Sequence, residues 1–338
     1  MKILVTGANG FVGSHVLESL AKIPGIEVIA ACRNPSRLLP AFRSAVRVGD
    51  LRDAAYVNHV VEGIDQVVHA AAWSALWGHQ CESRELFLNP SLALLEAAKR
   101  AGVKRFHFAS TLTAAPSALA DDAMQLGVER KFWPHEANVV KIENRLRALS
   151  DAAFQGVVMR LGFFVGRRYS LGILPILVPK LRARLVPWVG RGMAPLPLVD
   201  GRDIAAAFAA ATQSSKLGNF ESFNIVGPEI PLMREVVEYL HEQHAVPLPM
   251  VNVSYPVAYA FAWLMEQVHS ILPGDPLLTR SLVHLITPRQ LTHQRAAALL
   301  GYQPQCHWKE TIDLQMQEMK SRSSEKMRMF KPLPKEAI

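Results

Sequence analysis

The first two-fifths of the chain alternate short apolar runs with segments of helical periodicity. "KILVTG" at the amino terminus is a continuous apolar run, and "FVGSHVLESLAKI" after it repeats apolar positions at helical spacing. "EVIAACR", "AVRVGDL", "QVVHAAA" and "RFHFAST" are further strand-like runs, and "NPSLALLEAAKRAG" is a helical segment. Short apolar strands that alternate with helices are typical of βαβ units around a buried parallel sheet. The pattern predicts an α/β fold with a doubly wound parallel sheet.

The pattern is looser after residue 150. "GVVMRLGFFVG" and "FNIVG" are two more strand-like runs, and helices and proline-rich turns separate them. We predict a main domain over residues 1–160, to which 156–166 and 223–227 add strands, and a smaller region over 167–318. Residues 319–338 are polar and basic and lack an apolar face, which predicts a disordered tail. Weak attraction of this tail to an acidic membrane surface is the alternative.

The longest apolar stretch in the second half is "SYPVAYAFAWLMEQVHSIL". Pro256, Glu266 and His269 interrupt it, so it is too short and too polar to span a bilayer. We predict a buried helix, with a groove-facing or membrane-touching helix as the alternative.

Three glycines lie between the first strand and its helix, in "VTGANGFVGSHV". Gly7 permits a tight turn, Gly10 lets the backbone approach a pyrophosphate, and Gly13 lets the helix pack closely on the strand. The unpaired N–H groups and the positive dipole of the helix start face the phosphates. This context predicts a Rossmann-type NAD(P)-binding site within residues 1–160. The predicted cofactor contacts of the turn are Gly7, Asn9, Gly10, Phe11, Val12 and Gly13.

The end of the second strand indicates which dinucleotide binds. An acidic side chain about 20 residues beyond the glycines would accept hydrogen bonds from the adenosine ribose of NAD. The sequence has Arg33 there and Arg37 one helical turn later. A guanidinium pairs well with a 2′-phosphate, so NADP(H) is favoured over NAD(H). In the alternative, Arg33 only covers the adenine ring.

Several motifs in order resemble the extended short-chain dehydrogenases/reductases, in particular the hydroxysteroid-dehydrogenase and dihydroflavonol-reductase branch. "TGANGFVG" is similar to the family's glycine motif, Asp50-Leu51 to its adenine-contacting pair, and "HAAA" at 69–72 to its fourth-strand motif. "NPSLALLEAA", "MRLGFFVG", "LPLVDGRDIAAA" and "AAALLGYQP" match later segments, so that the resemblance covers residues 1 to about 315. It implies an oxidoreductase with a substrate-binding region over 167–318. The further cofactor contacts that it implies are Asp50, Leu51, Ala70, Ala71, Ala72, Asn89, Ala109, Lys141, Phe163 and Phe164.

The resemblance also implies a catalytic Ser/Thr, a Tyr and a Lys, with Tyr and Lys at i, i+4 on one helix. Thr111, at the end of "RFHFAST", matches the Ser/Thr, and Lys141 matches the Lys. Ala137 stands four residues before Lys141, and the sequence has no tyrosine between Tyr56 and Tyr169. The usual proton donor is therefore missing.

Three interpretations stay open. Another group, for which His135 is the candidate, or a water relay could replace the phenol, since an imidazole titrates near neutrality. Alternatively, the chain binds the dinucleotide without catalysis, as a sensor or an assembly or regulatory protein. In the third interpretation the substrate is an activated double bond, and solvent supplies the proton. The first interpretation gives an oxidoreductase that acts on a lipophilic carbonyl or alcohol.

Composition limits the partners. The net charge of +8 is mild and the basic residues are scattered, so we predict no nucleic-acid binding. Cys32, Cys81 and Cys306 are far apart, and "HEQH" at 241–244 has the wrong spacing for a zinc site, so we predict no metal. Free thiols and the absence of a leader or transmembrane segment favour a cytoplasmic protein. As a separate expectation, the substrate is a small, apolar molecule. The family resemblance adds a homodimer as an expectation.

Overall fold

A seven-stranded sheet runs through the computed structural model, which describes residues 1–116, 123–168, 172–272, 274–286 and 291–329. Its strand order is β10-β6-β5-β4-β1-β2-β3, and every neighbouring pair is parallel. The predicted doubly wound Rossmann-type fold is confirmed. The strands of this sheet are β1 (Lys2–Thr6), β2 (Glu27–Cys32), β3 (Val46–Val48), β4 (Gln66–His69), β5 (Arg105–Thr111), β6 (Gln155–Leu161) and β10 (Phe220–Ile225).

Helices cover both faces of the sheet, because its strands are apolar on both sides. On one face α1 and α7 pack with α11, and on the other face α2, α4 and α5 do so. The bounds of these helices are α1 (Phe11–Leu20), α2 (Ala54–Val60), α4 (Asn89–Arg100), α5 (Pro134–Leu149), α7 (Gly201–Gln213) and α11 (Gln294–Leu300). A short α3 (Gln80–Ser83) and a π-helix (Arg84–Leu88) lead directly into α4.

The remaining elements form a smaller region with its own core. Its strands pair as β7 with β9 and as β8 with β11. A third apolar cluster holds α6, α8 and α12 together, and α9 packs against α10. These elements are β7 (Phe163–Val165), α6 (Ile173–Arg182), β8 (Trp188–Val189), β9 (Leu198–Asp200), α8 (Met233–His244), β11 (Asn252–Val253), α9 (Tyr255–His269), α10 (Arg280–Leu285) and α12 (Trp308–Met329).

The proposed boundary between the two regions needs refinement. Helix α7 and strand β10 lie within 167–318, yet both belong to the sheet domain, because α7 packs on α1 and β10 extends the sheet beyond β6. The chain therefore returns to the sheet domain from residue 201 to residue 225 before it completes the smaller region.

Two sequence-based predictions are wrong in the second half. The tail from 319 was expected to be disordered, but α12 continues to Met329, and 330–338 lie outside the described residues. The apolar stretch at 254–272 was expected to be a buried helix. Helix α9 instead buries only Ala258, Ala262 and Glu266. Within the described ranges, no helix has the length and apolar character needed to cross a membrane.

Candidate cofactor and substrate cleft

The register of three neighbouring strands builds the floor of the candidate site. Thr6 of β1 pairs with His69 of β4, and His69 pairs with Phe108 of β5. Gly7, Ala70 and Ala109 directly follow these paired positions along the chain. They therefore lie at the carboxyl edge of the sheet. Ligands of doubly wound folds bind at this edge.

His69 is a structural residue of this floor. Its Nδ1 bonds to the Thr6 hydroxyl at 2.7 Å, and its Nε2 bonds to the Ser91 hydroxyl at 2.9 Å. Burial lowers the pKa of His69 to about 4, so the ring is neutral at pH 7. The side chain ties β4 to β1 and α4, with both nitrogens in use.

The glycine turn leaves no room for side chains. Gly7 has φ +63°, and a Cβ there would lie 2.6 Å from the Ala71 nitrogen. A Cβ on Gly13 would lie 2.3 Å from the Gly7 carbonyl oxygen, which fixes how closely α1 approaches the turn. Gly10 precedes the first residue of α1 and is exposed. Bare backbone at an exposed helix start fits a dinucleotide pyrophosphate.

Side chains next to the turn support its shape. The Asn9 amide donates to the Asn34 carbonyl at 3.2 Å and so links the turn to the end of β2. Phe11 stacks on Phe164, with 5.4 Å between the ring centroids, and Val12 is buried in the core below. Phe164, which we expected near the nicotinamide, thus lies against the glycine turn.

The end of β2 is positively charged. Arg33 and Arg37 are exposed, and in the described part of the chain neither guanidinium has a hydrogen-bond or ion-pair partner. The nearby Asp50 carboxylate binds the Arg52 guanidinium at 2.7 Å, and this bond lowers the pKa of Asp50 to about 2. Leu51 packs on the core below it. Asp50 is therefore an anion that Arg52 already neutralises, while Arg33 and Arg37 are free to bind an anionic ligand.

Thr111 ends β5 at the same edge of the sheet. Its hydroxyl lies 3.0 Å from the Thr113 hydroxyl and also accepts from the Thr113 backbone N–H. The preceding Ser110 points the other way and donates to Glu143 of α5 at 2.5 Å. Thr111 is half-buried at the carboxyl end of its strand, in keeping with the expected position.

The helical phase of α5 requires a correction of the expected catalytic helix. Val139, Glu143 and Leu146 are buried at i, i+4 and i+7, so this face packs on the sheet. Lys141 lies on the opposite side, where its half-exposed ammonium group is 3.8 Å from the Glu129 carboxylate. Ala137 shares that outer side, one turn earlier. The pair at 137 and 141 therefore does not face the sheet as expected, and a cofactor contact of Lys141 stays a prediction.

The inward-facing pair at the same spacing is His135 and Val139. The His135 ring packs against Phe87, with 5.0 Å between centroids, and its Nδ1 has no hydrogen-bond partner among the described residues. Burial lowers the pKa of His135 to about 4, although a hydrogen bond with the Trp73 backbone acts in the opposite direction. His135 is a neutral, half-buried imidazole at the start of α5.

Asn89, a predicted cofactor contact, begins α4. In α4 the buried positions include Pro90, Leu94 and Ala98, whereas Asn89 is exposed on the other side of the helix. Phe87, two residues earlier, is the buried neighbour of His135. No local sequence pattern indicates the position of either residue, because the π-helix before α4 shifts the phase of its first turn.

Glu143 and Arg160 form a buried ion pair that the sequence analysis missed. The Arg160 guanidinium donates to both Glu143 oxygens, at 3.1 and 2.7 Å. It also donates to the carbonyls of Ala123 and Gln125. The pair fixes α5 to β6. The sequence does contain a signal for the orientation of α5, namely the apolar periodicity of Val139, Ile142 and Leu146. This periodicity by itself places Lys141 on the outer side of the helix.

An apolar cavity lies beside the end of β5. It begins at Leu112, next to Thr111, and Phe163 lies in its wall. Its lining side chains are Leu112, Phe163, Pro195, Pro197, Ile230, Leu285 and Leu291. None of them is polar, so the lining is apolar, and the free space inside it is about 10 Å³, room for about one water molecule. No cluster of metal-ligating side chains occurs in the described ranges.

Comparison with known proteins agrees with this geometry. A model of the NAD-dependent epimerase/dehydratase family matches residues 3–226. The 2-alkyl-3-oxoalkanoate reductase of Stenotrophomonas maltophilia is 28% identical over 325 residues, which are 92% of this chain and 97% of the relative. The 4-hydroxy-2-methyl-3-oxo-4-farnesyl-3,4-dihydroquinoline-1-oxide ketoreductase of Stigmatella aurantiaca is 24% identical, over 89% of this chain and 92% of the relative.

Solved structures share the whole architecture. The crystal structure of gox2253 superposes with a TM-score of 0.76 and 20% identity, over 95% of this chain and 98% of that one. MoeE5 in complex with UDP-glucose and NAD superposes with a TM-score of 0.70 and 21% identity, over 96% of this chain and 100% of that one. Together with the family match, which spans the glycine turn and the whole central sheet, this leads to one conclusion: the chain belongs to the NAD-dependent epimerase/dehydratase family.

Proposed function

We propose that the protein is an NADP(H)-dependent oxidoreductase that acts on a lipophilic carbonyl compound or alcohol. The observation that carries this proposal is the apolar lining next to Thr111, at the sheet edge that also holds the glycine turn. The two reductases that resemble the chain over most of its length support a ketone as the reacting group, and their names specify substrates with alkyl or farnesyl groups.

Arg33 and Arg37 support NADP(H). They are exposed cations at the end of β2, and the one carboxylate beside them, Asp50, is already bound to Arg52. A 2′-phosphate would form charge-assisted bonds with guanidinium groups there. The bound nicotinamide would supply or accept the hydride. Gly7, Gly10 and Gly13 would hold the pyrophosphate, with Ala70, Ala71, Ala72 and Ala109 below the cofactor.

Two of this chain's side chains would handle the substrate. Thr111 would orient the substrate oxygen through its hydroxyl. His135 would exchange the proton, through the Nδ1 that has no other partner. Neutral His135 can accept a proton from an alcohol at pH 7, but the protonated form that ketone reduction needs is scarce, since its pKa is about 4.

The second candidate function is dinucleotide binding without turnover, as a sensor or assembly protein. It is favoured by the inward face of α5, where Val139 follows His135 at i, i+4 and no lysine or tyrosine is present. The glycine turn and Arg33 would serve this function unchanged. Cytoplasmic location and a homodimer stay predictions under both functions.

Binding and turnover separate the candidates. Fluorescence titration should give tighter binding of NADPH than of NADH, and Arg33→Ala should weaken NADPH by roughly tenfold, because one charge-assisted contact is lost. NADH affinity in Arg33→Ala is the control and should stay unchanged. Equal affinity of the wild type for both dinucleotides would contradict NADP(H) preference.

The pH dependence of turnover tests His135. NADPH consumption would be followed with 3-oxo acids and alkyl ketones of increasing chain length. Above the pKa of about 4, the protonated fraction of His135 falls with rising pH, so ketone reduction should slow by about tenfold per unit from pH 5 to pH 8. His135→Asn should remove both this slope and most of the activity. NADPH binding without turnover of any ketone would favour the sensor.

A further inference from the structure

Helix α9 has its polar and apolar residues in unusual places. Its only carboxylate, Glu266, is 3% exposed and accepts from the Arg280 backbone at 2.7 Å and from the Arg280 guanidinium at 2.6 Å. The other buried positions on this helix are the small residues Ala258 and Ala262. The helix therefore meets the protein through two alanines, one ion pair and the partly buried Tyr255 and Tyr259, and most of its other large apolar side chains stay outside.

The outer side of α9 is mostly apolar, with Gln267 as an exposed polar residue among its large side chains. Phe261, Trp263 and Leu264 are 46%, 49% and 51% exposed, and Ile271, just beyond the helix end, is 87% exposed. We call the six exposed side chains Val257, Phe261, Trp263, Leu264, Val268 and Ile271 the α9 face. Scattered exposed apolar residues are ordinary, but a continuous helical face of this kind marks an interaction site.

Unpaired cations border the α9 face. Arg182 ends α6 and Arg184 lies two residues beyond it. The Lys180 ammonium group of the same helix donates at 3.1 Å to the carbonyl of Leu277, which follows α9 in the chain. Arg191 binds Asn252, just before α9, through its backbone N–H at 2.8 Å. Arg182, Arg184 and Arg191 are exposed, and no ion pair within the described residues involves them. The apolar face thus carries a border of positive charge.

We propose that the α9 face docks on the surface of a lipid bilayer with anionic headgroups. Apolar side chains would enter the boundary between headgroups and acyl chains, where a tryptophan is favourable, and the arginines would bind lipid phosphates. A second copy of the chain fits less well. A two-fold contact repeats the same surface on both sides, so it would bring the same three arginines together, and the exposed Asp275 carboxylate between α9 and Leu277 would offset only part of their charge.

The inner side of α9 lies near the start of α5. Tyr259 of α9 and His284 of α10 both contact the Phe132 ring, two residues before α5 begins. If the proposed function holds, a lipophilic substrate could pass from the bilayer to the cavity without crossing water. Docking itself does not depend on that function, because it uses neither the glycine turn nor His135.

Sedimentation with vesicles tests the docking proposal. The full-length protein should sediment with vesicles of phosphatidylcholine and phosphatidylglycerol. Its affinity for vesicles of phosphatidylcholine alone should be more than tenfold lower. Phe261→Ser/Leu264→Ser should reduce binding at least tenfold. Arg182→Gln/Arg184→Gln should reduce it by roughly 25-fold, about fivefold per cation. Val48→Ser/Leu126→Ser changes two exposed apolar residues elsewhere and should leave binding unchanged.

Each other outcome rejects the proposal. Wild-type protein that stays in the supernatant with anionic vesicles rejects it directly, as does equal sedimentation of the wild type and the α9 variant. Sedimentation velocity without lipid tests the other possible occupant of the α9 face, a second copy of the chain. A dimer that Phe261→Ser/Leu264→Ser dissociates, together with no vesicle binding, would show that a second copy covers the face. NADPH affinity, measured on the same variants, should not change and shows that they are folded.

Discussion

Helices α1 and α5 both begin at the carboxyl edge of the same sheet, yet the sequence specified one helix start far better than the other. At α1 the site consists of backbone, and glycines at 7, 10 and 13 are required because a Cβ at 7 or 13 would overlap other backbone atoms. At α5 the site consists of side chains. Which of them enter the cleft depends on the helical phase, and the phase depends on what the helix packs against.

The difference has a simple physical cause. A backbone clash at 2.3 Å, such as the one that a Cβ on Gly13 would make, excludes every residue except glycine, so the residue type itself carries the information. In α5 the spacing of i, i+4 is met by 135 and 139 and equally by 137 and 141. Only the burial of Val139, Glu143 and Leu146 decides between the two pairs.

The largest effect in this comparison is expected for Glu143→Ala, on the buried side of α5. It leaves the Arg160 guanidinium buried without its carboxylate, and such a loss costs about 3–5 kcal/mol in the free energy of unfolding. Denaturant unfolding measures it. In the matched control, Glu143→Met/Arg160→Met, no charge stays behind, so most of the stability should return. A loss below about 1 kcal/mol for Glu143→Ala would mean that this pair does not fix α5 to β6.

Gly13→Ala should have the second effect, at the start of α1. The added Cβ would clash with the Gly7 carbonyl oxygen. Relieving this clash requires a backbone shift that costs about 1–3 kcal/mol in the free energy of unfolding and distorts the phosphate-binding turn. NADPH binding should be lost in fluorescence titration. Gly25→Ala is the control, since Gly25 lies beyond the other end of α1 with open space around it. It should lose some stability because of its positive φ, but keep NADPH affinity. Retained NADPH binding by Gly13→Ala would contradict the assigned turn.

The smallest effect is expected for Lys141→Ala, on the exposed side of α5. Its ion pair with Glu129 is half-exposed, so the free energy of unfolding should change by less than about 0.5 kcal/mol. NADPH affinity should stay the same, because the side chain points away from the sheet. Ala137→Tyr, on the same side, should create no ketone reduction. A tenfold loss of NADPH affinity in Lys141→Ala would restore this residue to the site.

The fold and the cofactor turn were predictable from sequence because each rests on local patterns. Strand and helix periods predicted the order of elements in the sheet domain, and the glycines predicted the turn after β1. The contribution of α7 to the sheet domain was not predictable, because it depends on a contact with α1 nearly 200 residues away in sequence. The exposure of α9 was also missed, since an apolar segment has the same composition whether it is buried or not.

The sequence by itself determined a parallel α/β sheet, a glycine turn suited to a pyrophosphate and arginines where NAD-binding proteins need an acid. These features follow from alternation, from backbone sterics and from charge, which are properties of short segments. Only the tertiary structure decided that His135 rather than Lys141 faces inward, that Glu143 neutralises Arg160, and that α9 presents Trp263 to its surroundings. Those facts depend on how each helix is rotated about its axis, and packing against distant segments sets that rotation.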